Sequence, residues 1–287
     1  MKIVILGAGA MGSLFGGYLS KKNEVWLVDV DGQRVKRIAS EGIGIYEING
    51  GENRFFPHAV TDSAEIGQAD LVIVFVKAMY SAAALESNRD LIGSDTYLMT
   101  LQNGSGHEIQ LLQYADADHV VIGTTQHNSS IHPDGSVQHG GSGKTAIGLI
   151  GGGSEKIAPI ADNFTDCGFD TEVAEDVQRK IWEKLFLNTA ASALTAVLQV
   201  PLGFILENSH AHSLMIRMAE EAVMTANAAC PGAPFQVEAV IRDIEHVLEN
   251  APHGYTSIYV DLQEGRHTEV DTISGSVVAA AKYHGVP

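Results

Sequence analysis

The sequence predicts an α/β protein in two parts: a doubly wound parallel sheet followed by an all-helical domain. Three observations predict it. A short apolar run, residues 3–6, leads directly into Gly7-Ala-Gly9-Ala-Met-Gly12 and then into a helical stretch. Short β-rich runs alternate with helical stretches through the first half of the chain, as expected when crossover helices join parallel strands. From Asp176 onward the pattern is helical almost throughout, which separates a domain of residues 1–175 from one of residues 176–287.

The first strand, Lys2–Leu6, feeds the glycine turn. Gly7 permits the tight turn out of the strand, Gly9 lets backbone approach a pyrophosphate, and Gly12 lets the next helix pack closely on the sheet. The start of that helix, with Ala10 and Met11, offers unpaired N–H groups and a positive dipole end to phosphates. A second strand, Glu24–Val28, is closed by Asp29, seventeen positions after Gly12, where a carboxylate accepts hydrogen bonds from a ribose 2′-hydroxyl. A glycine pattern alone is weak, but this one follows a strand, opens a helix and has its acid at the expected distance. It is read as a Rossmann-type dinucleotide site.

Further strands are expected over 71–76, 96–101 and 120–123, with helices over 11–21, 31–40, 78–87 and 107–114. After residue 124 short strands are joined by turns, with Pro133-Asp-Gly135 as a hairpin tip and a strand over 144–149. These are read as an antiparallel extension of the same sheet. Gly151-Gly-Gly153-Ser leads into one more helix and a strand near 171–174. The helical domain reads as 177–200, 202–227, 235–250 and a last stretch beginning near Thr268, with no internal repeat. In a two-domain design of this kind substrate sits in the cleft between domains, facing the carboxyl ends of the strands.

Composition narrows the function. With 45% hydrophobic and 18% charged residues the chain reads as a soluble globular protein. A formal net charge of −17 with no basic stripe argues against a nucleic-acid partner. Two cysteines, Cys167 and Cys230, are too few for a disulfide framework and read as buried thiols in a reducing, cytoplasmic compartment. The start of the chain does not read as a signal peptide, because glycines break its apolar run. Residues 185–206 are apolar over about one bilayer's length, but Asn188, Ser192, Gln199 and Pro201 make a buried helix the better reading than a membrane span. The apolar helix 185–200 supports a homodimer as readily as a core.

Several residues stand where chemistry is expected. Lys77 and Asn103 each end a predicted strand, at the carboxyl edge where the ligand crevice forms. For Lys77 a solvated loop lysine and a site lysine weigh about evenly, and Asn103-Gly104 also fits a simple turn. Lys184, Asn188 and Ser192, at i, i+4 and i+8, draw a polar line across an otherwise apolar helix. Such a line must be satisfied by protein partners or by a ligand. The stretch 257–271 packs Ser257, Asp261, Arg266, Glu269 and Asp271 into fifteen residues, although Thr268 or Asp271 also suits a helix N-cap. None of the twelve histidines stands in a context that fixes a partner carboxylate, so each is read as a surface or structural residue.

Taken together, GAGAMG from Gly7, VK at Lys77, QNG at Asn103, KIWEKLFLN with Lys184 and Asn188, and YTSIYVDLQEGRHTEVDTISG from Tyr255 resemble the ketopantoate reductase (2-dehydropantoate 2-reductase) family. These pieces span most of the chain in order, and the last two are the most specific. The resemblance implies an NAD(P)H-dependent enzyme of pantothenate biosynthesis, with a C-terminal domain like that of 6-phosphogluconate dehydrogenase. It implies that Lys184 is the general acid that protonates a carbonyl oxygen as hydride arrives. It implies that Glu269 orients Lys184 or bonds the nascent hydroxyl. Asn188, Ser192 and Ser257 would then hold the 2-oxo acid, and Asn103 and Lys77 the nicotinamide end and the substrate side. No metal is expected.

Three departures from the family pattern bear on specificity. Position 192, often asparagine, is the shorter Ser192. Asp29-Val30-Asp31 stands where members using NADPH usually carry an arginine; two carboxylates repel a 2′-phosphate, so NADH is favoured, with Arg34 and Arg37 as the nearby cations. The chain also ends at HGVP, where members usually continue through one more helix. The expected activity is reduction of a branched or bulky 2-oxo acid, ketopantoate first. An NAD-dependent D-2-hydroxyacid dehydrogenase of the D-mandelate type is the closest rival. A regulator that senses NAD(P) without chemistry is the rival from another class.

Overall fold

A computed structural model describes residues 1–287. It divides into two compact units, one of residues 1–102 and 107–177, the other of residues 103–106 and 178–287.

Along the first unit run β1 (Lys2–Leu6), α1 (Ala10–Leu19), β2 (Glu24–Val28), α2 (Gly32–Glu41), β3 (Ile43–Tyr46), β4 (Glu52–Phe55), β5 (His58–Val60) and β6 (Leu71–Val74). There follow α3 (Ser81–Ser87), β7 (Tyr97–Thr100), α4 (Glu108–Leu111), β8 (Val120–Thr125), β9 (Asn128–Ile131), β10 (Val137–Gly141), β11 (Thr145–Leu149), α5 (Ala158–Cys167) and β12 (Thr171–Val173). Eight strands form one sheet in the order β12-β11-β8-β7-β6-β1-β2-β5. All its pairs are parallel except β8 with β11. β1 pairs with β2 on one side and β6 on the other, Ile3 facing Val25 and Leu71. The chain therefore changes direction across the sheet at β1, the switch point where such sheets bind ligands. All four residues of β6 and all but the first of β1 are buried, as continuous apolar strands covered on both faces must be.

The hairpin after residue 124 departs from expectation. Its tip is where the sequence placed it: His132 and Ser136 close the turn at 2.9 Å, and Asp134 accepts from the Ser136 amide at 2.9 Å. Yet β9 and β10 do not extend the large sheet. They join β3 and β4 in a separate sheet of order β4-β3-β10-β9, packed on α1; only β11 continues the large one antiparallel to β8. The parallel pairing of β10 with β3 joins segments about ninety residues apart, a register that local sequence does not carry.

The second unit contains α6 (Val177–Leu187), a π-helical turn Asn188–Ser192, α7 (Ala193–Leu198), α8 (Phe204–Glu207), α9 (Ser209–Ala229), α10 (Val237–Asn250), α11 (Ser257–Gln263) and α12 (Ser274–His284). The stretch read as one helix over 202–227 is two, because Asn208 is extended and caps α9 by accepting from His210 and Ala211 amides at 3.1 and 3.0 Å. Buried Ala219, Ala222 and Ala226 give α9 a narrow face on which its neighbours approach closely, with Met215, Val223, Ile244 and Leu248 filling the core. Ala190, Ala191, Leu194 and Ile205 are buried in this same core. No helix is long and apolar enough to cross a membrane.

Candidate active site

The glycine fingerprint owes its shape to contacts within the first unit. Gly7 takes φ +101° and Gly12 lies against it: a Cβ on Gly12 would meet the Gly7 carbonyl oxygen at 1.9 Å. No residue larger than glycine fits there without moving the strand from the helix. Gly9, by contrast, has nothing within 4 Å of where a Cβ would stand, and no side chain caps α1, which it precedes. Open space beside an uncapped helix N-terminus is what an approaching pyrophosphate needs, so these residues fit a dinucleotide.

Asp29 is bound into this loop. Its Oδ2 accepts from the Ala8 amide at 2.7 Å and from Arg34 at 3.0 Å, and its Oδ1 accepts from the Asp31 amide at 2.9 Å. Asp31 has a different task. It caps α2, accepting from the Gln33 and Arg34 amides at 3.0 and 3.1 Å, and these bonds, Arg34's first, hold its carboxyl below the usual range. Arg34 also reaches Asp31 at 3.5 Å, so one guanidinium stands between the two acids. Sequence reading named Arg34 only as a nearby cation. Its place on Asp29 is legible from the spacing, since a residue one turn into a helix faces back toward the strand end. Lys77 immediately precedes the short 3₁₀ turn Ala78–Tyr80 after β6 and is partly buried.

In the second unit, Lys184 lies on the last turn of α6. Burial lowers its ammonium from 10.5 to about 8, and Glu269 pulls the other way, toward the charged form. The structure therefore brings together the lysine and the acid that lie 85 positions apart in sequence. Glu269 opens a tight turn whose carbonyl accepts from Thr272 and Ile273 amides at 3.1 and 3.0 Å. Neither Thr268 nor Asp271 caps the next helix; α12 begins only after Ile273.

The polar line on the long helix is real but not straight α-helix. Asn188 and Ser192 open and close the π turn. A regular helix drifts by about 40° for every four residues, and the wider i→i+5 ladder changes that register between Asn188 and Ser192. Asn188 is partly buried, while Ser192 is buried at 4% exposure. The Ser192 carbonyl lies 3.5 Å from the Thr256 hydroxyl, which also stands 3.4 Å from that of Thr195. This ties the N-cap of α11 to the π turn and sets Ser257, its exposed first residue, beside it. The Asn103–Gly106 segment clusters with this unit: the Ser105 amide donates to the Thr272 carbonyl at 3.3 Å. Gly104, at φ +106°, admits no Cβ, which would meet that carbonyl at 1.9 Å. The sequence reading missed the buried hydroxyls of Thr189 and Ser274, which have no hydrogen-bond partner. Thr189 lies inside the π turn, whose altered ladder no residue pattern announces.

These features define an α/β protein with a dinucleotide loop in one unit and a lysine–glutamate pair in an all-helical other. The chain belongs to the ketopantoate reductase family. The family model described as ketopantoate reductase PanE/ApbA matches residues 3–152, and that described as its C-terminal part matches residues 176–287. Among curated proteins, the 2-dehydropantoate 2-reductase of Halobacterium salinarum is 32% identical, over 100% of this chain and 94% of its own length. That of Pyrococcus horikoshii is 31% identical over 98% and 91%. Among solved structures, a D-mandelate dehydrogenase in ternary complex with NADH and anilino(oxo)acetate has a TM-score of 0.91 at 31% identity, covering 100% of this chain and 93% of that one. The 2-dehydropantoate 2-reductase of Geobacter metallireducens has a TM-score of 0.91 at 27% identity, with 100% and 95% covered.

Proposed function

We propose that the protein reduces a branched 2-oxo acid, ketopantoate first, at the expense of a nicotinamide dinucleotide. The observation that carries the reaction type is Lys184, an ammonium lowered to about 8 by burial yet kept charged by Glu269. The curated relatives carry the substrate, since they are named 2-dehydropantoate 2-reductases.

The bound cofactor supplies hydride to the carbonyl carbon. Every other task falls to the chain. Lys184 donates a hydrogen bond to the carbonyl oxygen, stabilises the negative charge that develops there, and delivers its proton. An acid titrating near 8 is better matched to neutral pH than a free lysine. Glu269 keeps that lysine protonated between turnovers and accepts from the new hydroxyl. Asn188, Ser192 and Ser257 hold the carboxylate and hydroxyl groups of the acid, and Lys77 and Asn103 bind at the nicotinamide end. Gly7, Gly9, Ala10, Met11 and Gly12 cradle the pyrophosphate.

We assign NADH as the preferred cofactor. Asp29 offers its remaining acceptor capacity to a ribose hydroxyl, and Arg34, the cation that a 2′-phosphate needs, is engaged by Asp29 and Asp31. The NADH-bound D-mandelate dehydrogenase favours a second reading, a D-2-hydroxyacid dehydrogenase. Comparing kcat/KM for ketopantoate, benzoylformate and 2-ketoisovalerate with each cofactor separates the two. Ketopantoate is expected to lead; benzoylformate turning over faster would favour the second reading.

A further inference from the structure

The first unit buries a chain of titratable side chains that the reaction does not use. The Tyr18 hydroxyl, on α1, donates to the Glu47 carboxylate, 2.7 and 2.6 Å from its two oxygens. Asn53 on β4 donates to the same carboxylate at 2.9 Å. His139 on β10 places Nδ1 3.2 Å from Glu47 Oε2 and Nε2 3.0 Å from Nδ1 of His127, which lies between β8 and β9. Nε2 of His127 is buried without a hydrogen-bond partner. Both imidazoles are sealed, at 6% and 5% exposure, with Phe169 edge-on to His127 and Tyr18 edge-on to His139. The other titratable groups here are Lys21 in the turn after α1, 3.9 Å over the Tyr18 ring, and the buried Cys167 thiol on α5, whose residue's carbonyl accepts from Lys21 at 3.0 Å.

Hydrogen-bond direction fixes the protons. The Glu47 carboxylate only accepts, so Nδ1 of His139 carries a proton. In the neutral ring Nε2 of His139 is then bare, and Nδ1 of His127 must donate to it. That leaves Nε2 of His127, which has no side-chain partner, to take any extra proton, and the Gly143 backbone beside the ring favours its protonated form. The chain is complete with both rings neutral, and it can hold one extra proton. It cannot hold two: the facing nitrogens would both be N–H donors across 3.0 Å, with one carboxylate for two cations.

The same residues join α1 to the four-stranded sheet. Tyr18 comes from the helix, Glu47, Asn53 and His139 from the sheet and its turn, and Ser129 on β9 donates to Met11 Sδ at 3.2 Å, within the fingerprint. We propose that Tyr18, Glu47, His139 and His127 form a pH-sensitive clasp that seats the dinucleotide-binding helix and opens when the second imidazole takes up a proton. The proposal rests on the cofactor reading only for its binding readout. Burial, then His139, pushes the His127 ring toward neutrality and outweighs the Gly143 backbone, whose hydrogen bond favours the charged ring. Burial raises Glu47, but the bonds from Tyr18, Asn53 and His139 outweigh it and keep the carboxyl ionised.

The test follows NADH affinity by fluorescence from about pH 8 to about pH 5.5, the range in which histidine titrates, for the wild-type chain and His127→Phe. The wild type is expected to weaken by up to about tenfold per pH unit below about 6.5, the limit for one coupled proton. His127→Phe, which keeps a ring and loses the second titrating site, is expected to stay within about twofold over the same range. Parallel losses in the two proteins, or a flat wild-type profile, overturn the proposal. Nitrogen NMR of the ring nitrogens in the wild type reads the clasp without cofactor. One ring is expected to charge while α1 amide signals hold, and the second only as they shift. Both rings charging with α1 unmoved overturns the clasp even if His127→Phe does not fold. If NADH fails to bind at pH 8, the cofactor reading fails, while the ring titration still decides the clasp.

Discussion

Lys184 feels two opposed influences, and their balance sets testable numbers. Burial pushes its ammonium from 10.5 to about 8, and Glu269 restrains the fall. The proton-donor role proposed for it requires the charged form, so kcat is expected to fall as pH rises through about 8. Lys184→Ala is expected to lower kcat by about 10²–10⁴, the usual worth of a general acid, with NADH binding retained. The linkage has a definite sign. The unfolded chain binds the proton more tightly between about 8 and 10.5, so this residue's contribution to stability rises with pH across that window. At pH 7 the buried ammonium costs at most about 3 kcal/mol. Lys184→Met is therefore expected to melt higher at neutral pH while inactive, an outcome that calorimetry and assay check together. Asp29→Ala removes the acceptor and frees Arg34. Isothermal titration is expected to show weaker NADH and tighter NADPH binding, and unchanged selectivity would contradict the role given to Asp29.

Elements place these residues through close backbone approaches. Gly12→Ala puts a methyl 1.9 Å from the Gly7 carbonyl. Overpacking of this kind costs about 1–3 kcal/mol, and because the strain falls on the loop proposed to hold the cofactor, NADH affinity is expected to drop by about tenfold or more. Circular dichroism would separate that loss from unfolding. The strands and helices that made this loop legible are short-range features: apolar runs, glycine spacing and an acid after the second strand. What escaped the sequence depends on partners distant in the chain. β3 and β4 were unread because a short strand facing a small sheet shows little alternation, and β10 finds β3 across about ninety residues. The π turn at Asn188–Ser192 was read as continuous helix, since its residues have ordinary helix propensities and only packing selects the wider ladder. Lys184 and Glu269 were legible as a pair only through the family motif; burial then gives the lysine its acidity.

At the scale of the molecule, the proposed clasp and the Lys184–Glu269 pair belong to different units. Below about pH 6.5 the unfolded chain protonates His127 more readily than the folded one, whose ring is pushed down by burial and by His139. Stability is therefore full above that value and is expected to be lost as pH falls, with Glu47 adding a second loss below its ordinary range near 4.5. Thermal melts from about pH 8 to about pH 4 check both, and His127→Phe is expected to remove the first. The histidines were read from sequence as structural or surface residues, and His127 and His139 are indeed buried in packing, but their shared bond and Glu47 could not be seen in sequence. The most direct test of the account is reduced-cofactor consumption by the wild type and Lys184→Ala with ketopantoate, followed across about pH 6–9. Turnover of ketopantoate by the wild type, falling above about pH 8 and lost by at least about a hundredfold in the variant, is the predicted result. No consumption with any 2-oxo acid, or equal rates for the two proteins, would contradict it.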